Sequence, residues 1–291
     1  MTENEFILQD RLTKIKSVIE KYGEENFYVS FSGGKDSTIL SALIDMALPG
    51  NKIPRVYANT GIEYKLILEF VEKLKEKAHS WELHIIKPSV PIKPMLEQVG
   101  YPFKSKEHAA VVGSYQNGNK DGKWIKSYLA KSDRFACPSK LLYQFTDECK
   151  IKISDKCCDK LKKEPLHKWQ KEHSKPYGII GIMAAEGGRR NSAKCLAFSG
   201  DKLKNFQPLV PITKEWEEWF IDEYNIEISE IYYAPYNFER TGCKGCPFAP
   251  ELQDELEVLE KYFPAERKQC EYIWKPVYDE YRRINYRLKG W

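Results

Sequence analysis

Apolar residues at Phe6, Ile7, Leu12, Ile15, Val18 and Ile19 share one face of a helix predicted from Glu5 to Tyr22, which Gly23 ends. Asn26-Phe27-Tyr28-Val29 is aromatic and β-branched enough for a buried strand, and Thr38 to Ile44 returns to helical spacing. A strand is predicted over Ile53 to Ala58, an amphipathic helix over Lys65 to Ala78, and a third strand over Trp81 to Ile86. Strand and helix alternating in this way predict an α/β fold: a doubly wound, mainly parallel sheet with helices on both faces. From Gly100 to about Tyr177 the chain becomes Lys-rich and carries Gly and Asn, with helical pieces at Trp124 to Ala130 and Leu141 to Glu148. That stretch is expected to be an insertion or cap over the sheet's carboxyl edge. Tyr177 to Ile182 restores a strand, Asn205 to Ile212 reads as extended, and Thr213 caps a helix bearing Trp216, Trp219 and Phe220. Leu252 to Arg287 is helical, with interruptions expected at Pro264 and Pro276. The expected organisation is an α/β domain over 1–248, with the insertion at about 100–177, followed by a helical segment over 249–291.

At 291 residues, 42% hydrophobic and 13% aromatic, the chain can bury a large core. No apolar run approaches the roughly 20 residues a membrane helix needs. The acidic start, Met1-Thr2-Glu3-Asn4-Glu5, lacks the basic and then apolar segments of a secretory signal, so a cytoplasmic location is expected. The 46 basic and 42 acidic residues are spread along the chain, and a net charge of +4 creates no field that demands nucleic acid. Eight cysteines in a reducing compartment point to metal or redox chemistry rather than a disulfide framework.

The predicted chemistry centres on Ser30-Phe31-Ser32-Gly33-Gly34-Lys35-Asp36-Ser37, a turn from the first strand into a helix. Two glycines let the backbone approach an anion, and the new helix presents its N–H groups and the positive end of its dipole. Lys35, with Ser30, Ser32 and Ser37 nearby, adds charge and hydroxyl donors. The lysine directly follows the glycine pair, so this is not a Walker-type loop. The string resembles the SGGxDS pyrophosphate loop (PP-loop) of adenine-nucleotide α-hydrolases, which cleave ATP between its α and β phosphates. A plain helix N-cap is the bland alternative. Asn59-Thr60-Gly61-Ile62-Glu63 leaves the carboxyl end of the second strand, where open parallel sheets place ligand contacts.

Cys157-Cys158 and Cys243-Lys244-Gly245-Cys246 can together supply four thiolates to a zinc ion or an iron–sulfur cluster. Adjacent cysteines diverge, which suits the separate corners of a cuboidal cluster better than one tetrahedral ion. Buried free thiols suit Cys195 and also Cys137, Cys149 and Cys270.

Cys157-Cys158-Asp159-Lys160-Leu161-Lys162-Lys163-Glu164-Pro165-Leu166, with Thr241-Gly242-Cys243-Lys244-Gly245-Cys246-Pro247, resembles the CCxxRKxxPL and GCxxC pattern by which assimilatory adenylyl-sulfate reductases hold a 4Fe–4S cluster. Leu161 stands where that pattern has arginine. From about Phe27 to Phe248 the chain is similar to the phosphoadenosine phosphosulfate (PAPS) reductase family. The resemblance implies a PP-loop fold with a helical cap carrying a 4Fe–4S cluster on Cys157, Cys158, Cys243 and Cys246. It also implies nucleotide contacts from Ser30, Ser32, Gly33, Gly34, Lys35, Asp36, Ser37, Asn59, Thr60, Gly61, Glu63 and Glu186. Arg189 and Arg190 become an anion clamp and Lys162 a point charge beside the cluster. Salt bridging is the bland reading for those basic residues.

Two departures shape the expected reaction. No ECGxH-type motif, whose thiol attacks sulfur in the reductases, occurs in this sequence, and Lys35 suits the departing pyrophosphate of ATP. The expectation is therefore ATP-dependent adenylation coupled to sulfur transfer, with Lys35, Asp36, Arg189 and Arg190 in catalytic roles. The alternatives are a sulfonucleotide reductase acting on adenylyl sulfate or PAPS, and a nucleotide- and cluster-binding protein without turnover. Mg2+ is compatible with the phosphates. A sulfur or electron donor protein is an expected partner, and a nucleic-acid acceptor and a homo-oligomer stay open.

Overall fold

Phe27–Phe31 (β1) forms the middle of a six-stranded sheet in a computed structural model that describes residues 1–77, 79–133 and 135–289. Of Glu186, Gly188 and Arg189 only the backbone is described, and Ala78, the expected end of a helix, lies outside the described residues. β1 pairs in parallel with Arg55–Ala58 (β2) on one side and Tyr177–Ile180 (β4) on the other, Val29 standing opposite both Arg55 and Ile179. Leu83–Ile86 (β3) adds to β2, and Lys202–Phe206 (β6) to β4, also in parallel. The strand order β3-β2-β1-β4-β6-β5 makes β1 and β4 the point at which chain direction across the sheet reverses.

Period-two alternation explains why helices cover both faces. Phe27 and Val29 join a core with Leu8 and Ile15 of Glu3–Tyr22 (α1), Ile39 and Leu43 of Lys35–Ala47 (α2), and Phe220 of Lys214–Glu223 (α8). Tyr28 between them turns to the other face and packs edge-on against Trp169 of Glu164–Glu172 (α7) at 5.6 Å. Thr2 and Glu5 cap α1 reciprocally, and the predicted cap of α8 is present as Thr213 Oγ1 accepting from the Trp216 N–H.

Several expected boundaries shift for identifiable reasons. The extended stretch from Asn205 to Ile212 is strand only through Phe206, since Pro208 and Pro211 have no N–H for a ladder. Leu196–Ser199 (β5) was absent from the predicted elements; it turns at Gly200, φ +59°, and pairs antiparallel with β6. The helix expected from Leu141 is a 3₁₀ turn over Ser139–Phe145, closed when the Thr146 hydroxyl takes the Tyr143 carbonyl at 2.7 Å. The interruption expected at Pro264 is present, since Leu252–Tyr262 (α9) ends there and Pro264–Arg283 (α10) begins, but α10 runs unbroken through Pro276. The carbonyl that Pro276 leaves unbonded, on exposed Tyr272, accepts from Lys93 Nζ at 3.4 Å, and buried Trp274, Val277, Tyr278 and Tyr281 anchor the opposite face of the helix.

The chain divides into two compact units. The first, Met1–Asn59, Lys65–Lys87 and Pro165–Arg240, contains the sheet with α1, α2, Lys65–Glu76 (α3) and α8. The second comprises Thr60–Tyr64, Pro88–Glu164 and Thr241–Trp291. It holds Ile92–Val99 (α4), Lys106–Gln116 (α5), Lys123–Leu129 (α6), α9 and α10. Within it His108 is fully buried between Tyr128 Oη at 2.8 Å and Gln144 Oε1 at 2.6 Å, and burial holds its imidazole down at about 4. Among the described residues no helix is long and apolar enough to cross a membrane.

One buried cation is central to the first unit. Arg55 is fully buried on β2, stacks on Trp81 at 4.5 Å, and bonds Asp45 at 2.7 Å, Asn51 at 2.9 Å and Ser41 at 2.9 Å. Asp45 also accepts from Trp81 Nε1 at 3.1 Å and Asn51 Nδ2 at 2.8 Å. Asp45→Ala removes an acceptor shared by three side chains, leaving Trp81 Nε1 without its partner and Arg55 and Asn51 with fewer bonds. Because the Asp45 side chain is 40% exposed, we expect a loss of about 2–3 kcal/mol, below the usual cost of breaking a fully buried pair, measured by urea unfolding. Unchanged stability would show that the guanidinium is held by its neutral partners alone.

Candidate functional site

The loop after β1 adopts a conformation only its glycines allow. Gly33 has φ +72°, and a Cβ there would meet Val71 Cγ2 of α3 at 2.9 Å. Gly34 then caps α2 without a side chain. The hydroxyls fold inward: Ser37 Oγ donates to Gly34 O at 2.9 Å and lies 3.1 Å from Ser32 Oγ, which accepts the Gly34 N–H at 3.3 Å. Ser30 is two residues before Ser32, on β1 itself. The Lys35 N–H donates to Tyr232 Oη at 3.2 Å, and its ammonium lies over the Tyr232 ring, 5.3 Å from the centroid. On the β4 side Gly181 lets that strand's exit approach α2, since a Cβ would stand 3.0 Å from Asp36 O.

Charged groups converge on the first turn of α2. The Arg190 guanidinium feels Asp36 as a favourable neighbour, while burial and Arg240 both lower its affinity for its proton. The side chains of Arg189 and Glu186 lie outside the described residues. Glu217 of α8 is 3% exposed, shares a hydrogen bond with Asp36, and leaves Oε1 without a hydrogen-bond partner. Burial first, then the Asp36 charge, push its carboxyl up to about 7, with Lys35 opposing. The folded protein therefore holds a proton that the unfolded chain releases near the ordinary 4.5. Stability falls as pH rises from 4.5 through about 7 and is level above. Glu217→Gln is expected to stabilise the protein above pH 7, by up to roughly 3 kcal/mol, and to change nothing below about pH 4.5. Thermal melts at pH 4.5 and 8 check this; an equal shift at both would assign the effect to packing.

The four predicted cluster cysteines all belong to the second unit. Cys157 donates its thiol proton to Cys158 and is itself held well above the ordinary thiol range by that bond and by burial. The same bond, with the Lys106 and Lys162 ammoniums, lowers Cys158 to about 6 against the opposing effect of burial. Cys243 and Cys246 are pushed up, chiefly by burial. Lys162 is raised, chiefly by its proximity to Cys243 and further by Glu63, Cys158 and Cys246. Gly245, φ +59°, makes the turn between the later pair, where a Cβ would meet Tyr278 Oη at 2.5 Å and Cys270 Sγ at 2.8 Å. Among the described residues no group of three or more His, Cys, Asp or Glu side chains is already set as the shell of a metal ion. Cys158, Cys243 and Cys246 all act on Lys162, and Cys157 in turn feels those three thiols.

The predicted site residues thus fall into two groups. Ser30, Ser32, Gly33, Gly34, Lys35, Asp36, Ser37, Asn59 and Arg190 belong to the first unit, and Thr60, Gly61, Glu63 and Lys162 belong with the thiols. Glu63 binds its own loop: its carboxylate accepts from Thr60 N at 3.0 Å, Thr60 Oγ1 at 2.6 Å and Gly61 N at 3.0 Å. Tyr232, Glu217, Arg240 and Lys106 were missed. Each is an ordinary polar residue in sequence, brought to its site by tertiary packing.

A family model described as the phosphoadenosine phosphosulfate reductase domain matches residues 26–249. No curated protein matches the sequence. Among solved structures, phosphoadenylyl-sulfate (PAPS) reductase from Candida auris in its phosphate complex is similar at 12% identity, with a TM-score of 0.45 over 81% of this chain and 95% of that one. The U34-tRNA thiolase NcsA from Methanococcus maripaludis with its [4Fe-4S] cluster is similar at 16% identity, with a TM-score of 0.41 over 98% and 82%. An NH3-dependent NAD synthetase from Campylobacter jejuni is similar at 12% identity, with a TM-score of 0.43 over 96% of each chain.

Proposed function

The chain belongs to the phosphoadenosine phosphosulfate reductase domain family, and from that premise we propose that it is an ATP-using PP-loop enzyme of sulfur transfer. The observation that carries this reading is Lys35 at the first position of α2, above the glycine turn, where a triphosphate would meet it together with the helix N–H groups. In the proposed reaction an acceptor oxygen attacks the α phosphorus of ATP and the bond to the β-phosphate oxygen breaks. Pyrophosphate leaves, and a sulfur nucleophile from a donor then displaces AMP. Lys35 stabilises charge on the leaving pyrophosphate, Arg190 holds a phosphate oxygen, and Ser32 and Ser37 brace the loop beneath the phosphates with their inward-folded hydroxyls. Asp36 suits Mg2+ or the orientation of Arg190.

Cys157, Cys158, Cys243 and Cys246 would hold a 4Fe–4S cluster, whose chemistry is electron transfer or the binding of sulfur. Lys106 and Lys162 place positive charge beside those sulfurs. The family match itself favours a second reading, reduction of adenylyl sulfate or PAPS to sulfite. Incubating anaerobic protein with cell extract and ATP, or with adenylyl sulfate and a dithiol, separates the two. Pyrophosphate from ATP is expected; sulfite without pyrophosphate would establish the reductase.

A further inference from the structure

The second unit carries a groove of about 1000 Å³ between α5 and the chain from Thr146 to Lys156. It is a built concavity. Gly113 lets α5 lie against that chain, since a Cβ would stand 2.9 Å from Ile153 O. Gln116 pins the two together, donating to Ile151 O at 2.8 Å and accepting from Ile153 N at 2.9 Å. Four lysines line the groove, Lys120, Lys150, Lys152 and Lys156, against the carboxylates Asp147 and Asp155. Lys120 pairs with Asp147 at 3.6 Å and Lys156 with Asp155 at 3.8 Å. Lys150 and Lys152 instead place their ammoniums on main-chain carbonyls, of Asp147 and Gln98, which cancels no charge and leaves further N–H donors.

Aromatic faces accompany this cationic excess. Trp124 on α6 also lines the groove and exposes 47% of its surface, whereas Ile125 and Tyr128 of the same helix are buried. Lys123 and Lys126 flank the exposed indole in sequence, Lys126 pairing with Asp121 at 3.4 Å. Tyr115 is a second lining ring, with the Lys120 ammonium 5.5 Å from its centroid. Residues 100–177 contain 17 Lys or Arg and 9 Asp or Glu, an excess larger than that of the whole chain, so the remainder is net acidic. Charge is therefore segregated along the chain rather than evenly spread.

We propose that this groove binds single-stranded nucleic acid, its phosphates passing the lysines and an unpaired base stacking on Trp124. A duplex hides its base faces, and an acidic peptide satisfies the lysines but offers nothing to the indole. The strand's role as the acceptor of sulfur rests on the reading given above, while its binding does not.

Anisotropy of labelled 12-nucleotide single-stranded RNA and DNA, measured with the full chain and no ATP, tests the proposal beside an equal-length duplex and polyglutamate. Single strands are expected to bind at least about tenfold more tightly than duplex or polyglutamate, with log affinity falling against log salt by about 0.7 per phosphate contacted. Trp124→Ala should weaken binding roughly 5- to 100-fold, and Lys150→Ala with Lys152→Ala should flatten the salt slope. Absence of strand binding at 50 mM salt, equal binding of polyglutamate, or wild-type binding by both folded variants would overturn it. Because ATP is absent, failure here leaves the pyrophosphate assay standing, and failure of that assay leaves strand binding standing.

Discussion

Protein purified without oxygen is expected to be brown, with iron and acid-labile sulfide in equal amounts, and Cys158→Ser or Cys246→Ser is expected to remove the colour. The electrostatics of the second unit supply the reason for this expectation. Burial works against ionising Cys157, Cys243 and Cys246, and Lys162 with Lys106 supplies two positive charges for four thiols. Without a metal three of the four stay protonated; with iron bound, all four become thiolates and their charge is taken up by the metal. Replacing one sulfur with a hydroxyl removes a corner and leaves the other thiols facing low-dielectric surroundings, so loss of the whole cluster follows rather than a graded weakening. The absorption near 400 nm typical of iron–sulfur charge transfer, with iron and sulfide assays, reads this directly. Colourless protein carrying one zinc per chain after iron-replete anaerobic growth would overturn it. Cys195→Ser is the control, since that cysteine lies in the first unit against the β5–β6 side of its core.

Much of the first unit was legible because its signals are local. A short apolar strand, a loop and an amphipathic helix mark the first units of the parallel sheet, and the loop after β1 announces itself through Gly33, Gly34 and Lys35. The β5–β6 hairpin is equally local, marked by Gly200-Asp201 between short strands, but Leu196–Ser199 is only four residues long and half exposed, so its signal is weak. Pro276 misled for a physical reason: proline predicts a break, but the carbonyl it orphans is met by Lys93, far away in sequence. The same holds for the site. Cysteines and glycines have few roles and stand out, whereas Glu217 sits in a first helical turn where any surface acid would be unremarkable. Only packing makes it buried and places it on Asp36.

Lys35→Ala is expected to slow pyrophosphate release roughly 10²- to 10³-fold and to weaken ATP binding about ten- to a hundredfold, with AMP affinity changing little. The difference follows from what the ammonium can reach. At the first position of α2 it projects beyond the backbone cradle, over the Tyr232 ring, while Ser32, Ser37 and the glycine N–H groups form the cradle itself. An α phosphate held in the cradle loses nothing essential with the lysine gone. The β and γ phosphates lose their nearest cation, most of all as the α–β bond breaks and charge gathers on the leaving group. Adenylyl sulfate carries a single sulfate in that place, so a protein evolved for it should prefer it to ATP and feel the substitution equally with both. Calorimetric titration of wild type and Lys35→Ala with ATP, AMP and adenylyl sulfate decides between them. Equal losses for all three ligands, or a wild-type preference for adenylyl sulfate, would move the protein from adenylation to sulfonucleotide reduction.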